Sequence, residues 1–184
     1  MSETTERYAA PERARRLTAR DSRLAPWRAF LAAYSLVSRR LDDDLRAEHG
    51  MTLAEYAALL QLAEAPDRRL RMNQLADGVF LSRSGVTRLI DRLEADGLVE
   101  RSHCASDGRG AEAVLTEIGQ SRLRQASRTH LRGIEAYFLD SVEPLDLEAL
   151  QRSCTSIGRR VRSDDRAATG DASVLAPSTE RPPD

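Results

Sequence analysis

The chain has no lysine: all 28 of its basic residues are arginine. Every cation is therefore a planar fork, able to bond a phosphate, a carboxylate or a guanine edge through parallel N–H groups. Aromatic residues make up only 4%, so the core has to be built from Leu, Ala, Val and Ile. The two cysteines, Cys104 and Cys154, are too few for a disulfide framework and show no CxxC spacing, which points to a reducing compartment. No apolar run approaches the roughly 20 residues of a membrane span. The opening MSETTERYAAPERARR lacks the apolar segment of a secretory signal, so a cytoplasmic location without membrane contact is expected. The histidines His49, His103 and His130 fall in no HExxH or other metal spacing, and no G-x-S-x-G or phosphate loop is present. Catalytic residues, metal and cofactor are accordingly not expected. The acids Asp42 to Asp44 point in different directions on a helix and read as a solvated face. A strong net charge is missing too, at −1. Any nucleic-acid surface must then come from local charge placement.

What is present is the composition of a helix-rich globular domain, with 41% hydrophobic and 31% charged residues. Residues 1–25 read as a mobile arm, with PERARRLTAR as a candidate short helix. Residues 163–184 carry three prolines and no apolar periodicity, and read as a disordered tail. Between them, residues 26–162 form one folded domain. Pro26 opens a long helix with Phe30, Leu31, Tyr34, Leu41 and Leu45 at helical intervals up to Gly50. Thr52 and Glu55 form a capping box for a second helix striped by Leu53, Tyr56, Leu59 and Leu60, and APDRR ends it. The stretch RMNQLADGVFLSRSGVTRLIDRLEADG reads as two helices joined by a tight turn. Leu75, Ala76 and Val79 line the first; Val86, Leu89, Ile90 and Leu93 line the second, which Ser82 caps and Gly97 stops. LVERSHC and AEAVLT are strands around the turn ASDGRG. Thr116 then caps a long helix to about Phe138, and Leu145 to Val161 form a last one. The fold class is mainly α with a small β-hairpin wing: a winged helix-turn-helix lobe over about 52–116, flanked by long helices.

In such a lobe the second helix enters the DNA major groove. With Val86, Leu89, Ile90 and Leu93 packed inward, its outward residues near the start are Arg83, Ser84, Thr87 and Arg88, beside the cap Ser82. Hydroxyls can bond base edges or phosphates, Arg can fork onto guanine, and the Thr methyl can meet thymine. Gly85 keeps the helix surface low there. The competing reading is a solvated face in which Ser82 only caps and the arginines pair with Asp91 or Glu94. The preceding helix and turn, the wing that follows, and the appearance of acids in this helix only from Asp91 onward, away from its start, favour a DNA-reading surface.

The stretch LADGVFLSRSGVTRLIDRLEADGLVER, followed by SDGRGAEAVLTEIG, resembles the MarR family of winged helix-turn-helix transcription regulators. The matching features are the LA helix at Leu75, RLE-x-x-GLV-x-R from Arg92 to Arg101, D-x-R from Asp107 to Arg109, and LT-x-x-G from Leu115 to Gly119. They sit within a likeness covering roughly Trp27 to Val161. Gly108 stands where the family often has arginine, which removes a cation and loosens the wing tip. The resemblance implies a homodimer joined through the first helix and the last two, with recognition helices in successive major grooves of palindromic double-stranded DNA. It implies that Arg109 enters the minor groove and that Asp107 braces the wing against Arg101; a plain turn former is an equal reading of Asp107. It also implies a ligand-responsive repressor released by a small aromatic or anionic effector, or by cysteine oxidation. Trp27, Tyr34, Tyr56 and His130 are the candidate effector residues, with ordinary packing as the alternative for each. Cys104 and Cys154 lie away from the family's redox position and read as inert. A winged-helix module for protein contacts, without specific DNA binding, is the alternative function.

Overall fold

A computed structural model describes residues 18–79, 81–103 and 111–169. The first helix, α1, spans Ala25–His49 with Pro26 in its first turn. It follows a 3-10 turn, Ser22–Leu24, whose cap Asp21 accepts the Arg23 N–H. Structure therefore begins before residue 25, the expected limit of the arm, because a local acid cap organises the approach to the helix. At the other end Gly50, at φ +62, turns the chain with its N–H on the Arg46 carbonyl. Left-handed backbone costs a glycine nothing. Leu41 and Leu45 on the C-terminal half are buried, but Phe30, Leu31 and Tyr34 are 48%, 41% and 63% exposed. The stripe expected along the whole helix thus packs into the chain's own core over only half its length.

Helix α2, Leu53–Glu64, opens with the expected capping box: Thr52 Oγ1 accepts the Glu55 N–H and Glu55 accepts the Thr52 N–H. Asp42 of α1 accepts the next N–H, that of Leu53, at 2.7 Å. After α2, Asp67 and Arg68 adopt left-handed φ of +53 and +55, conformations that cost most non-glycine residues about 1 kcal/mol. The Arg68–Glu117 ion pair at 2.6 Å ties this turn to the start of a later helix. Strand β1, Arg69–Arg71, follows at once. It was not expected, since three residues are too few to display alternation.

Helices α3, Met72–Val79, and α4, Arg83–Ala95, form the helix-turn-helix. Strands β2, Val99–His103, and β3, Ala111–Leu115, pair antiparallel from Val99↔Leu115 to His103↔Ala111, and β1 joins the far side of β3. The core beneath is aliphatic. Leu45, Leu59, Leu62, Leu75, Val86, Leu89, Ile90, Leu93 and Val99 are its largest fully buried side chains, each stabilising the fold by roughly 1.5–3 kcal/mol. Helix α5, Glu117–Tyr137, is capped by Thr116 and packs along α1, where Gly133 leaves room for Leu41. Polar contacts line that seam: Thr129 donates to Glu48 at 2.7 Å, and Tyr137 donates to Asp44 at 2.8 Å. Because the Thr129 proton goes to Glu48, the 2.8 Å contact with His49 Nε2 requires the imidazole to be the donor.

One compact unit ends at Phe138 and a second begins at Leu139. Within the second, α6 spans Pro144–Thr169. The tail expected from Ser163 is therefore helical at its start. Apolar periodicity is absent there, but a helix already nucleated propagates through residues of good helix propensity such as Ala and Arg. Leu145, Ile157 and Val161 on α6 are exposed. Among the described residues no helix is long and apolar enough to cross a membrane.

Candidate nucleic-acid interface

The start of α4 is built by its cap. Ser82 is extended and its Oγ accepts the Gly85 N–H at 3.2 Å, while Ser84 Oγ lies 3.2 Å from it. A Cβ at Gly85 would lie 3.3 Å from that Ser82 oxygen and 3.4 Å from Leu81 Cβ, so the glycine lets the cap close tightly as well as keeping the surface low. Val86, Leu89, Ile90 and Leu93 are all 0–1% exposed. Ser82, Ser84, Thr87 and Arg88 are exposed, and Arg88 makes no ion pair among the described residues. Arg83 is the first residue of α4; its side chain lies outside the described residues, as do Asp107 and Arg109 of the wing and Cys104.

The segment from Arg92 to Arg101 is held by contacts that explain its residue types one by one. Arg92 Nε donates to Glu55 Oε1 at 2.9 Å, tying α4 to the capping box of α2. Leu93 is core, and its carbonyl accepts the Leu98 N–H at 2.9 Å; the Gly97 N–H bonds Glu94 at 2.9 Å. These paired bonds close the helix and require the left-handed φ of +70 at Gly97. Arg101 reaches back from β2 onto α4, where its guanidinium bonds Asp91 at 2.5 Å and the Thr87 carbonyl at 3.3 Å. Its NH1 lies 3.3 Å from Glu94. The expectation paired Arg101 with Asp107; among the described residues its partners are these two acids of α4. Asp91 and Glu94, expected as partners for arginines of α4 itself, meet an arginine of β2 instead, a pairing set by which strand lies against that helix.

The LT-x-x-G segment fixes the other side of the wing. Thr116 Oγ1 donates to the Gly97 carbonyl at 2.8 Å and accepts the Gly119 N–H at 2.9 Å, while the Thr116 N–H bonds Leu98 at 3.2 Å. Wing base, α4 end and α5 start thus meet in one knot of bonds around the Thr116 hydroxyl and N–H.

The four effector candidates divide into two pairs. The Tyr56 and His130 rings lie 4.3 Å apart at 39°, and His130 Nδ1 is buried with no hydrogen-bond partner among the described residues. Burial pushes the His130 pKa below its ordinary value, favouring the neutral ring. Tyr56 donates to Ser127 at 3.3 Å. Trp27 and Tyr34 belong instead to an exposed ladder on α1, where Phe30 lies 6.1 Å from Trp27 and 6.4 Å from Tyr34. Cys154 is exposed on α6. No group of acids, His and Cys suited to a metal ion occurs among the described residues.

Two α-helices at a tight turn, an outward-facing second helix and a hairpin locked to its end define a winged helix-turn-helix protein. The sequence pattern of the MarR family matches residues 49–110. The chain is 33% identical over 90 residues to the HTH-type transcriptional repressor YetL of Bacillus subtilis, covering 49% of this chain and 54% of that one. It therefore spans about half the length of that curated relative. Two solved structures extend the likeness. AbsC, a MarR family transcriptional regulator from Streptomyces coelicolor, is 34% identical with a TM-score of 0.72, over 81% of this chain and 99% of AbsC. Sco3205, a MarR family regulator from the same organism solved in complex with DNA, is 35% identical with a TM-score of 0.69, over 82% of this chain and 90% of Sco3205. The chain belongs to the MarR family of transcriptional regulators.

Proposed function

We propose that this regulator binds a palindromic operator in double-stranded DNA as a homodimer, with one α4 in each of two successive major grooves, and acts as a cytoplasmic, ligand-responsive repressor. The observation that carries the DNA reading is the orientation of α4. Its apolar stripe is sealed in the core and its Ser84, Thr87 and Arg88 edge faces outward from a rigid, capped start. Arg83 and Ser82 extend this edge, and Arg109 is assigned to the flanking minor groove, where narrow A/T-rich sequence concentrates negative potential. Asp107 is assigned to ordering the wing tip. For the effector we put forward Tyr56 and His130, supported by the partnerless imidazole nitrogen beside an aromatic ring, which a small aromatic or anionic molecule with a hydroxyl or carboxyl group could satisfy. Trp27 and Tyr34 are assigned to the same effector only through the dimer, since in the protomer they pair with Phe30.

The test is fluorescence anisotropy on a fragment selected from random DNA, at several salt concentrations. Operator binding must weaken steeply with salt. Arg88→Ala is expected to lose roughly 1–3 kcal/mol of discrimination between operator and random DNA at an unchanged melting temperature. Arg109→Ala is expected to weaken A/T-flanked sites most. Salt-insensitive binding, or Arg88→Ala binding both DNAs as the parent does, would return this face to a protein-contact role.

A further inference from the structure

Asp91 follows Thr87 by four residues and Arg88 by three, so it lies on the same face of α4 as the proposed base-reading edge. Its side chain is half exposed. A carboxylate there would oppose the approach of phosphates. Arg101 covers it: the guanidinium bonds Asp91 at 2.5 Å and the Thr87 carbonyl at 3.3 Å, lies 3.3 Å from Glu94, and its backbone N–H bonds Glu94 at 3.2 Å. A planar fork suits several acceptors at once. These contacts come from β2, the strand that begins the wing.

We propose that Arg101 is a positioning residue of the DNA-reading surface: it cancels the charge of Asp91 and sets the base of the wing at one angle to α4 without touching DNA itself. The proposal rests on the DNA-binding reading above. It separates two roles that an arginine near DNA can play, since a phosphate contact contributes a released counterion to the salt dependence and a positioning residue does not.

The experiment compares the parent protein, Arg101→Gln, Asp91→Asn and the double variant by anisotropy on operators with A/T and G/C flanks across a salt series. Arg101→Gln is expected to weaken operator binding roughly tenfold, with an unchanged salt slope and a smaller preference for A/T flanks. Adding Asp91→Asn should recover part of the loss but not the flank preference, because the charge is removed while the wing stays unfastened. A salt slope lower by about one, with no recovery on adding Asp91→Asn, would make Arg101 a phosphate contact and overturn the proposal. Parent-like binding by Arg101→Gln would overturn it as well. If Arg101→Gln fails to fold by its melting curve, Arg101→Lys carries the test: weaker flank preference at an unchanged slope supports the proposal, and parent-like flank preference overturns it. A parent protein that does not distinguish operator from random DNA would defeat the DNA reading itself, and this proposal with it.

Discussion

Gly119 has no side chain because there is no space for one. A Cβ would sit 2.0 Å from the Leu98 carbonyl oxygen and 2.9 Å from its carbon, and backbone cannot swing aside as a side chain can. Gly119→Ala must push α5 away from the wing base, with an expected loss of roughly 1–3 kcal/mol or more in urea unfolding. Little loss would mean that α5 can tilt without cost. The residue type was visible as part of a motif, but its reason was not, because Leu98 and Gly119 meet only in the fold. The caps Thr52, Ser82 and Thr116 were legible, since each bonds an N–H three residues on. Arg101 marks the opposite limit. Its place in a motif could be read, whereas its bonds to Asp91 and Glu94 depend on how a strand lies against a helix.

Glu55 joins two elements, accepting the Thr52 N–H at 2.8 Å and the Arg92 guanidinium at 2.9 Å. Partial burial alone would raise its pKa, but those bonds outweigh burial and hold the carboxyl below its ordinary 4.5. Asp42, similarly placed between Arg46 and the Leu53 N–H, is held below 3.8 against the same opposition. A carboxylate with a depressed folded pKa adds stability above its unfolded value, and that stability is lost as pH falls through the folded one. Glu55→Gln is therefore expected to melt a few degrees lower at pH 7, with the difference from the parent closing as the pH drops below about 4.5. A constant difference across pH 7 to 3 would show that the charge of Glu55 contributes nothing. Elements with a local signal were legible along the chain: among the described residues five of the six α-helices have ends close to those expected, and the hairpin strands lie where the turn residues put them. Strand β1 was hidden because its pairing with β3 is its only definition. The end of α6 was hidden because its last residues carry no apolar periodicity to mark a helix.

On the scale of the molecule, Trp27, Phe30, Leu31 and Tyr34 leave an exposed apolar ladder on α1, a surface of the kind monomers rarely carry without a partner. If this is the dimer surface, Phe30→Asp should sediment as a monomer at micromolar concentration and lose tight operator binding, while its DNA-binding lobe keeps its helical signal. A Phe30→Asp dimer with parent affinity would place the dimer contact elsewhere. The closed junction from Asp96 to Leu98, with Thr116 bonded across it, has its own consequence for the shape of an operator. Helix α4 and the base of the hairpin form one stiff gauge, so on the proposed DNA reading the distance along the duplex between the bases under α4 and the start of the wing is fixed within each half-site. One base pair inserted between them displaces the flank by about 3.4 Å and turns it by about 35°. The expected result is complete loss of the A/T-flank advantage from that insertion, with α4 still reading its own bases; gel-shift competition between shifted and unshifted operators measures it, and an undiminished advantage would mean that the hairpin bends where the backbone bonds indicate it is rigid.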